Sequence, residues 1–181
     1  RGRTARGGPP VDNVAIDVEG ERTLYRLAGL SAFVGLVVSW WCLRSYRLTL
    51  IVFLASLISA GISLSLVWYS GEKMNAVLLT MPSLVYVLTL SGAIHIVNYY
   101  RDAIHEHGWA NATASAIQKA WAPCTLAAVT TAVGLGSLYI SDLIPIQLFG
   151  LYSALGVLAT LFVLFLFVPA MVYLWPDPAD M

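Results

Sequence analysis

Long apolar stretches parted by short polar breaks dominate the chain. Five can be marked out: Leu27 to Leu43, Leu48 to Tyr69, about Ala76 to Tyr100, about Trp121 to Ile140 and about Ile144 to Leu174. A bilayer core about 30 Å thick takes roughly 20 mostly apolar residues per helix, and each stretch meets that length or comes close. The first is short. It ends on Trp40 and Trp41, as the second ends on Trp68 and Tyr69, and such rings favour the headgroup level. These aromatics, with four further spans, favour a crossing over a buried core helix for the first stretch. Pro82 falls in the first turns of the third stretch as a kink candidate. The fifth is too long for one straight span, and with Pro145 near its entrance and Pro169 near its exit, tilt or a kink is expected.

Most connections are short. Arg44 to Arg47 reads as a tight basic turn, Ser70 to Asn75 as a second carrying Glu72 and Lys73, and Ser141-Asp142 as a minimal one. Arg101 to Ala120 is longer. Ala103, Ile104, Ala110, Ala114 and Ile117 fall on one face there, which predicts an amphipathic helix lying on the membrane surface.

Residues 1–26 differ from the rest. Gly7-Gly8-Pro9-Pro10 reads as a turn or linker, Val11 to Val18 alternates imperfectly like a strand edge, and Glu19 to Arg26 is charged. So short a segment builds no core of its own, and RGRTARGGPP lacks the layout of a signal peptide. The segment is expected to be the stub of an extracytoplasmic domain, and the chain an excerpt from a longer polypeptide. The organisation predicted is this stub, a five-helix transmembrane domain over 27–175, and a cytoplasmic tail over 176–181.

Arg44, Arg47, Arg101 and Lys119 fall on one side of the membrane, against Lys73 in the short loops of the other. The positive-inside rule places the 44–47 and 101–120 loops in the cytoplasm, the N-terminal segment outside and the C-terminus inside. Arg22 and Arg26 narrow the margin to four against three, but long external domains translocate regardless of charge.

Composition excludes most alternatives. Of 181 residues 59% are hydrophobic and only 11% charged, far from the soluble average. Ten Lys+Arg balance ten Asp+Glu, so no net field recruits nucleic acid. Cys42 and Cys124, the only cysteines, make neither a disulfide framework nor a metal knuckle; they read as small apolar fillers. His105 and His107 read as solvated loop residues, and Asn111-Ala112-Thr113 as an inert sequon. No phosphate loop, paired carboxylates, metal spacing or nucleophile–base set occurs, so no enzyme, cofactor or metal is expected.

Charged groups inside a span mark many transporters, but none stands at mid-depth here. The third stretch instead carries Ser91, His95 and Asn98 at i, i+4 and i+7, one helix face. The imidazole of His95 is a side chain suited to carrying a proton. Two readings stand: a hydrogen bond to a neighbouring helix near the span's end, or a proton or substrate role. Ser56, Ser59, Ala60, Gly61 and Ser63 in the second stretch, and the run from Thr125 to Gly136 with Thr130 and Thr131, read as close helix packing.

The order of parts resembles half of an RND-superfamily permease, in the MMPL-like, hydrophobe-exporter branch. GGPPVDNVAIDVEGERTLYRLAGLSAF is similar to the exit from the extracytoplasmic porter domain into the second span of a half, and WWCLRSYRLTL to the next turn. SGAIHIVNYYRDA resembles the end of the fourth span, and PCTLAAVTTAVGLGSLYISDLIPIQLFGLYSALGV the fifth and sixth. The sterol-sensing domain shares this layout. The family's drive usually depends on an acidic residue in the fourth span, often Asp-Tyr; Ser91 and Gly92 stand there.

The resemblance implies an all-α integral membrane fold, one half of an RND-type membrane domain in a bacterial inner membrane, exporting lipids or other hydrophobic compounds on the proton gradient. The partners implied are the bilayer, a second half of the same polypeptide, a hydrophobic substrate, or a second copy in a homo-oligomer. Ser91, His95 and Asn98, with Thr130 and Thr131 nearby, are the expected proton relay or substrate path. The rivals are a sterol-sensing-type lipid-binding scaffold and a protein-translocation accessory.

Overall fold

A computed structural model describes residues 26, 28–72 and 77–176, and every regular element among them is helical. The expectations for 1–25, Lys73 and the tail after Pro176 lie outside the described residues. The helices are α1 (Ala28–Leu43), α2 (Tyr46–Ser70), α3 (Met81–His107), α4 (Trp109–Gly136), α5 (Ile144–Phe162) and α6 (Val168–Leu174). With their flanking turns, Tyr46–Ser70, Leu78–Glu106, Asn111–Ile140 and Ile144–Leu174 are each long and apolar enough to cross a membrane. α1 is a shorter apolar helix.

The link from α1 to α2 is tighter than the predicted 44–47 turn. Arg44 takes the left-handed conformation at φ 46°, which costs a side-chain-bearing residue about 1–2 kcal/mol. Ser45 follows as N-cap, its hydroxyl accepting from the Leu48 N–H at 3.4 Å, so Arg47 already lies in the first turn of α2. Gly71 ends α2 at φ 74°, its N–H donating to the Trp68 carbonyl.

Pro82 does not kink the third span. It sits in the first turn of α3, after a 3-10 turn over Leu78–Thr80, where a missing N–H breaks no helical bond.

The expected surface helix over 101–120 does not form. α3 runs on to His107, Gly108 breaks it at φ 75°, and α4 starts at Trp109. Ala103, Ala112, Ala116 and Ala120 are buried in one cluster. The buried face is therefore not the one expected: of that face Ala103 is buried, Ile104 and Ile117 are half-buried and Ala114 is exposed.

The long last span begins with Pro145 in the first turn of α5. Its irregularity is a single π turn over Val163–Phe167, where the Val168 N–H reaches back to the Val163 carbonyl, just before Pro169. Pro169 has no N–H to offer the carbonyl four residues earlier, and the wider π spacing accommodates that gap.

α2, α3 and the α5–α6 span form the packed centre, with Ile51, Val97 and Val168 fully buried. A smaller cluster of Val67, Leu78, Met81, Val85 and Tyr152 fills the other end. Gly156 allows α5 close to α3 and α2: an added Cβ would lie 3.1 Å from Val85 Cγ2 and 3.4 Å from Ser63 Cβ. α1 leans on α3 where Gly35 meets Tyr86, whose hydroxyl donates to the Ala32 carbonyl at 3.3 Å. Arg101 Nη1 donates to the Leu43 carbonyl at 2.6 Å, and Arg47 Nη1 to the Pro176 carbonyl at 3.0 Å. The ends of α1, α3 and α6 and the start of α2 therefore share one side of the bundle.

Candidate functional site

α3 and α4, joined through Gly108, run antiparallel, and with the α5–α6 span they enclose a cavity of about 330 Å³. α3 contributes Ser91, Gly92, His95 and Tyr99; α4 contributes Pro123, Cys124, Ala127 and Thr131; Val157, Thr160 and Leu164 close the third side. Three of the five predicted residues thus share one space: Ser91, His95 and Thr131. Ser91 and His95 line it at an exposed edge, whereas Asn98 and Thr130, also exposed, do not line it. Asn98 is one turn beyond His95, and Thr130 is turned roughly 100° around α4 from Thr131.

The cavity is mostly apolar, with a few polar atoms on its walls. The Thr131 hydroxyl donates to the Ala127 carbonyl at 2.7 Å, and the Thr160 hydroxyl to the Val157 carbonyl at 2.7 Å. Their protons are thereby committed, leaving lone pairs for a guest. No Asp, Glu, Lys or Arg lines the space, and His95 is its one basic side chain. Pro123 cannot bond the carbonyl of Lys119, one turn earlier in α4, so the regular helix is interrupted near His95. Cys124 is half-buried on the cavity wall, whereas Cys42, expected as an apolar filler, is exposed on α1.

Leu164 reaches beside Gly92, where an added Cβ would lie 2.8 Å from its Cδ1. A larger side chain at Gly92 would meet this tip first. On the other flank of α3 a second, more apolar cavity of about 660 Å³ opens between α1 and α3, and Ser91 lines both spaces. The sequence reading missed this groove and the contribution of α5. A signal for the latter was available: Gly150, Ser153, Gly156 and Thr160 form a small-residue face that is buried. Among the described residues no group of three His, Cys, Asp or Glu gathers as metal ligands.

A helical bundle whose spans enclose a polar-edged cavity defines a multi-pass integral membrane protein. A family model described as the MMPL family matches residues 4–176, and the chain belongs to that family. No curated protein matches it.

Proposed function

We propose that this chain is one half of the membrane domain of an RND/MMPL-like permease. The complete protein, in this reading, exports lipids or other hydrophobic compounds from a bacterial inner membrane, driven by entering protons. The observation that carries the reading is the cavity of about 330 Å³ bounded by Ser91, His95 and Thr131 inside a bundle of membrane spans. Its size falls in the range of small-molecule sites, roughly 300–1,000 Å³. Proton entry supplies about 2.3 kcal/mol per charge per 100 mV, and a titrating group must bind and release that proton. Ser91 offers no basic nitrogen for it, whereas the imidazole of His95, which lines the same cavity, does. The end bearing Arg44, Arg47, Arg101 and Lys119 is assigned to the cytoplasm on the positive-inside rule.

The test is export by the full-length protein carrying His95→Ala, with protein in the membrane measured in parallel. Export is expected to fall about tenfold or more, the loss that about 1.4 kcal/mol in a limiting step produces, at unchanged protein level. Unchanged export removes His95 from the mechanism.

A second reading has its own support. The cavity lining holds no carboxylate, and Leu164 occupies the space beside Gly92, as suits a sterol-sensing-type domain that binds lipid without moving it. Export abolished by an uncoupler counts against this alternative.

A further inference from the structure

The arginines at one end of the bundle are used in two ways. Arg47 bonds the Pro176 carbonyl and lies over the Trp175 ring at 5.8 Å from its centroid, while Arg101 bonds the Leu43 carbonyl. Both tie the chain's own helix ends together. Arg44 is exposed, and its side chain makes no hydrogen bond or ion pair with any described residue. With Val37, Trp40 and Trp41 it lines an open cleft of about 380 Å³. The i, i+3, i+4 spacing puts Val37, Trp40 and Trp41 on one outward face of α1, with Trp40 and Trp41 61% and 76% exposed, and Arg44 joins them from the link that follows the helix.

The backbone adds an independent observation. Arg44 is the one non-glycine position with positive φ among the described residues. The tight link between α1 and α2 requires a left-handed residue, which glycine or asparagine supplies more cheaply. Nothing in the turn requires a guanidinium. A strained conformation that keeps a long cation, without a partner among the described residues, at a membrane boundary points to a use for that cation.

We propose that the cleft on Val37, Trp40, Trp41 and Arg44 binds the phosphodiester headgroup of an anionic phospholipid in the leaflet at this end of the bundle. A guanidinium presents paired N–H donors that match two phosphate oxygens. The indoles sit at headgroup depth, where their N–H groups reach the polar region and their rings cover the upper acyl chain. The first turn of α2, which follows Arg44 directly, carries no acidic side chain to repel the anion. The site depends on membrane placement alone and stands whichever way the transport reading falls.

The test uses the full-length protein in phosphatidylcholine vesicles doped with brominated phosphatidylglycerol or, in parallel, brominated phosphatidylcholine, reading quenching of tryptophan emission. A Trp40→Phe/Trp41→Phe variant defines the share of signal from these two rings. That share is expected to favour the glycerol headgroup about fivefold, the effect of one cation near an anionic surface. Arg44→Asn is expected to bring the ratio near one, and Arg44→Lys to keep most of it. Because asparagine suits the left-handed position better than arginine, misfolding does not account for the loss, and an unchanged circular dichroism spectrum checks this. Equal quenching by the two lipids in the unaltered protein overturns the site, as does a preference that survives Arg44→Asn. If inorganic phosphate removes the preference beyond the effect of sodium chloride at equal ionic strength, the occupant is a free anion and the lipid assignment falls.

Discussion

α2 and α4 carry similar runs of small and hydroxylated residues, and the fold uses them in opposite ways. The most apolar window of α2 is 39% buried within the bundle, that of α4 only 11%. Ser56, Ser59 and Ser63 of α2 are buried in the packed centre, while Thr130, Val133 and Gly134 of α4 face outward. The hydroxyls nevertheless behave alike. Ser56 and Ser63 donate to the Val52 and Ala60 carbonyls, and Thr130 and Thr131 donate to carbonyls at Leu126 and Ala127. Each of these four protons is satisfied within its own helix, which is what a membrane helix needs when no water is at hand, whereas the buried Ser59 hydroxyl of α2 and the buried Thr125 hydroxyl of α4 have no partner among the described residues. Small residues therefore permit a close neighbour without naming one. On α2 the neighbours belong to this chain; on α4 the face stays open.

The largest effect that tests this contrast comes from filling glycines. At Gly150 an added Cβ would lie 2.6 Å from the Leu135 carbonyl oxygen and 2.7 Å from Leu138 Cβ, and backbone cannot yield as a side-chain tip can. At Gly134 nothing lies within 4 Å. Gly150→Val is expected to lower the stability of the full-length protein in detergent by about 3 kcal/mol. Gly134→Val should stay within about 0.5 kcal/mol, both read from thermal unfolding. A loss at Gly134 approaching that at Gly150 would break the comparison, since the open face of α4 would then be packed in the assembled protein.

The same distinction sets how much was legible in the sequence. Long apolar runs bounded by aromatics predict membrane helices because bilayer thickness leaves few other lengths. The scarcity of polar groups in the third stretch likewise drew attention to Ser91 and His95, which do share a cavity. Periodicity places residues on a helix face but does not say what covers that face. Hence the apolar side of 101–120 reads as facing the membrane surface, whereas the structure runs this stretch into the ends of α3 and α4 and buries Ala103, Ala112, Ala116 and Ala120 instead. Hence also Thr131 joined the cavity and Thr130 did not. Val157, Thr160 and Leu164 entered from a helix distant in sequence, which only tertiary packing brings to the site.

A smaller effect separates α1 from the centre. Its residues Leu30, Phe33 and Trp41 are each at least 60% exposed, so its docking depends on few contacts, among them the Arg101 bond to the Leu43 carbonyl at 2.6 Å. Arg101→Gln is expected to cost about 2 kcal/mol, the scale of a hydrogen bond from a charged donor. The loss should be local: amide exchange should accelerate in α1 while α2 keeps its protection. Uniform acceleration in both helices would mean that α1 is part of the centre rather than an attachment to it.

The smallest effect concerns the hairpin of α3 and α4 beyond the cavity. Lys119 Nζ bonds Glu106 Oε2 at 2.5 Å, but their side chains remain 39% and 55% exposed. Water and salt screen so open a pair, and ordering two long side chains offsets much of the attraction. Ala103, Ala112 and Ala120, fully buried in one cluster, instead let the two backbones pack closely. Lys119→Ala should therefore change stability by about 0.5 kcal/mol or less, with little dependence on added salt. A loss above about 1 kcal/mol that fades as salt rises would transfer the hairpin's cohesion from its alanine contact to its charges. The helix extensions would then be held by electrostatics, unlike the packed centre from which they emerge.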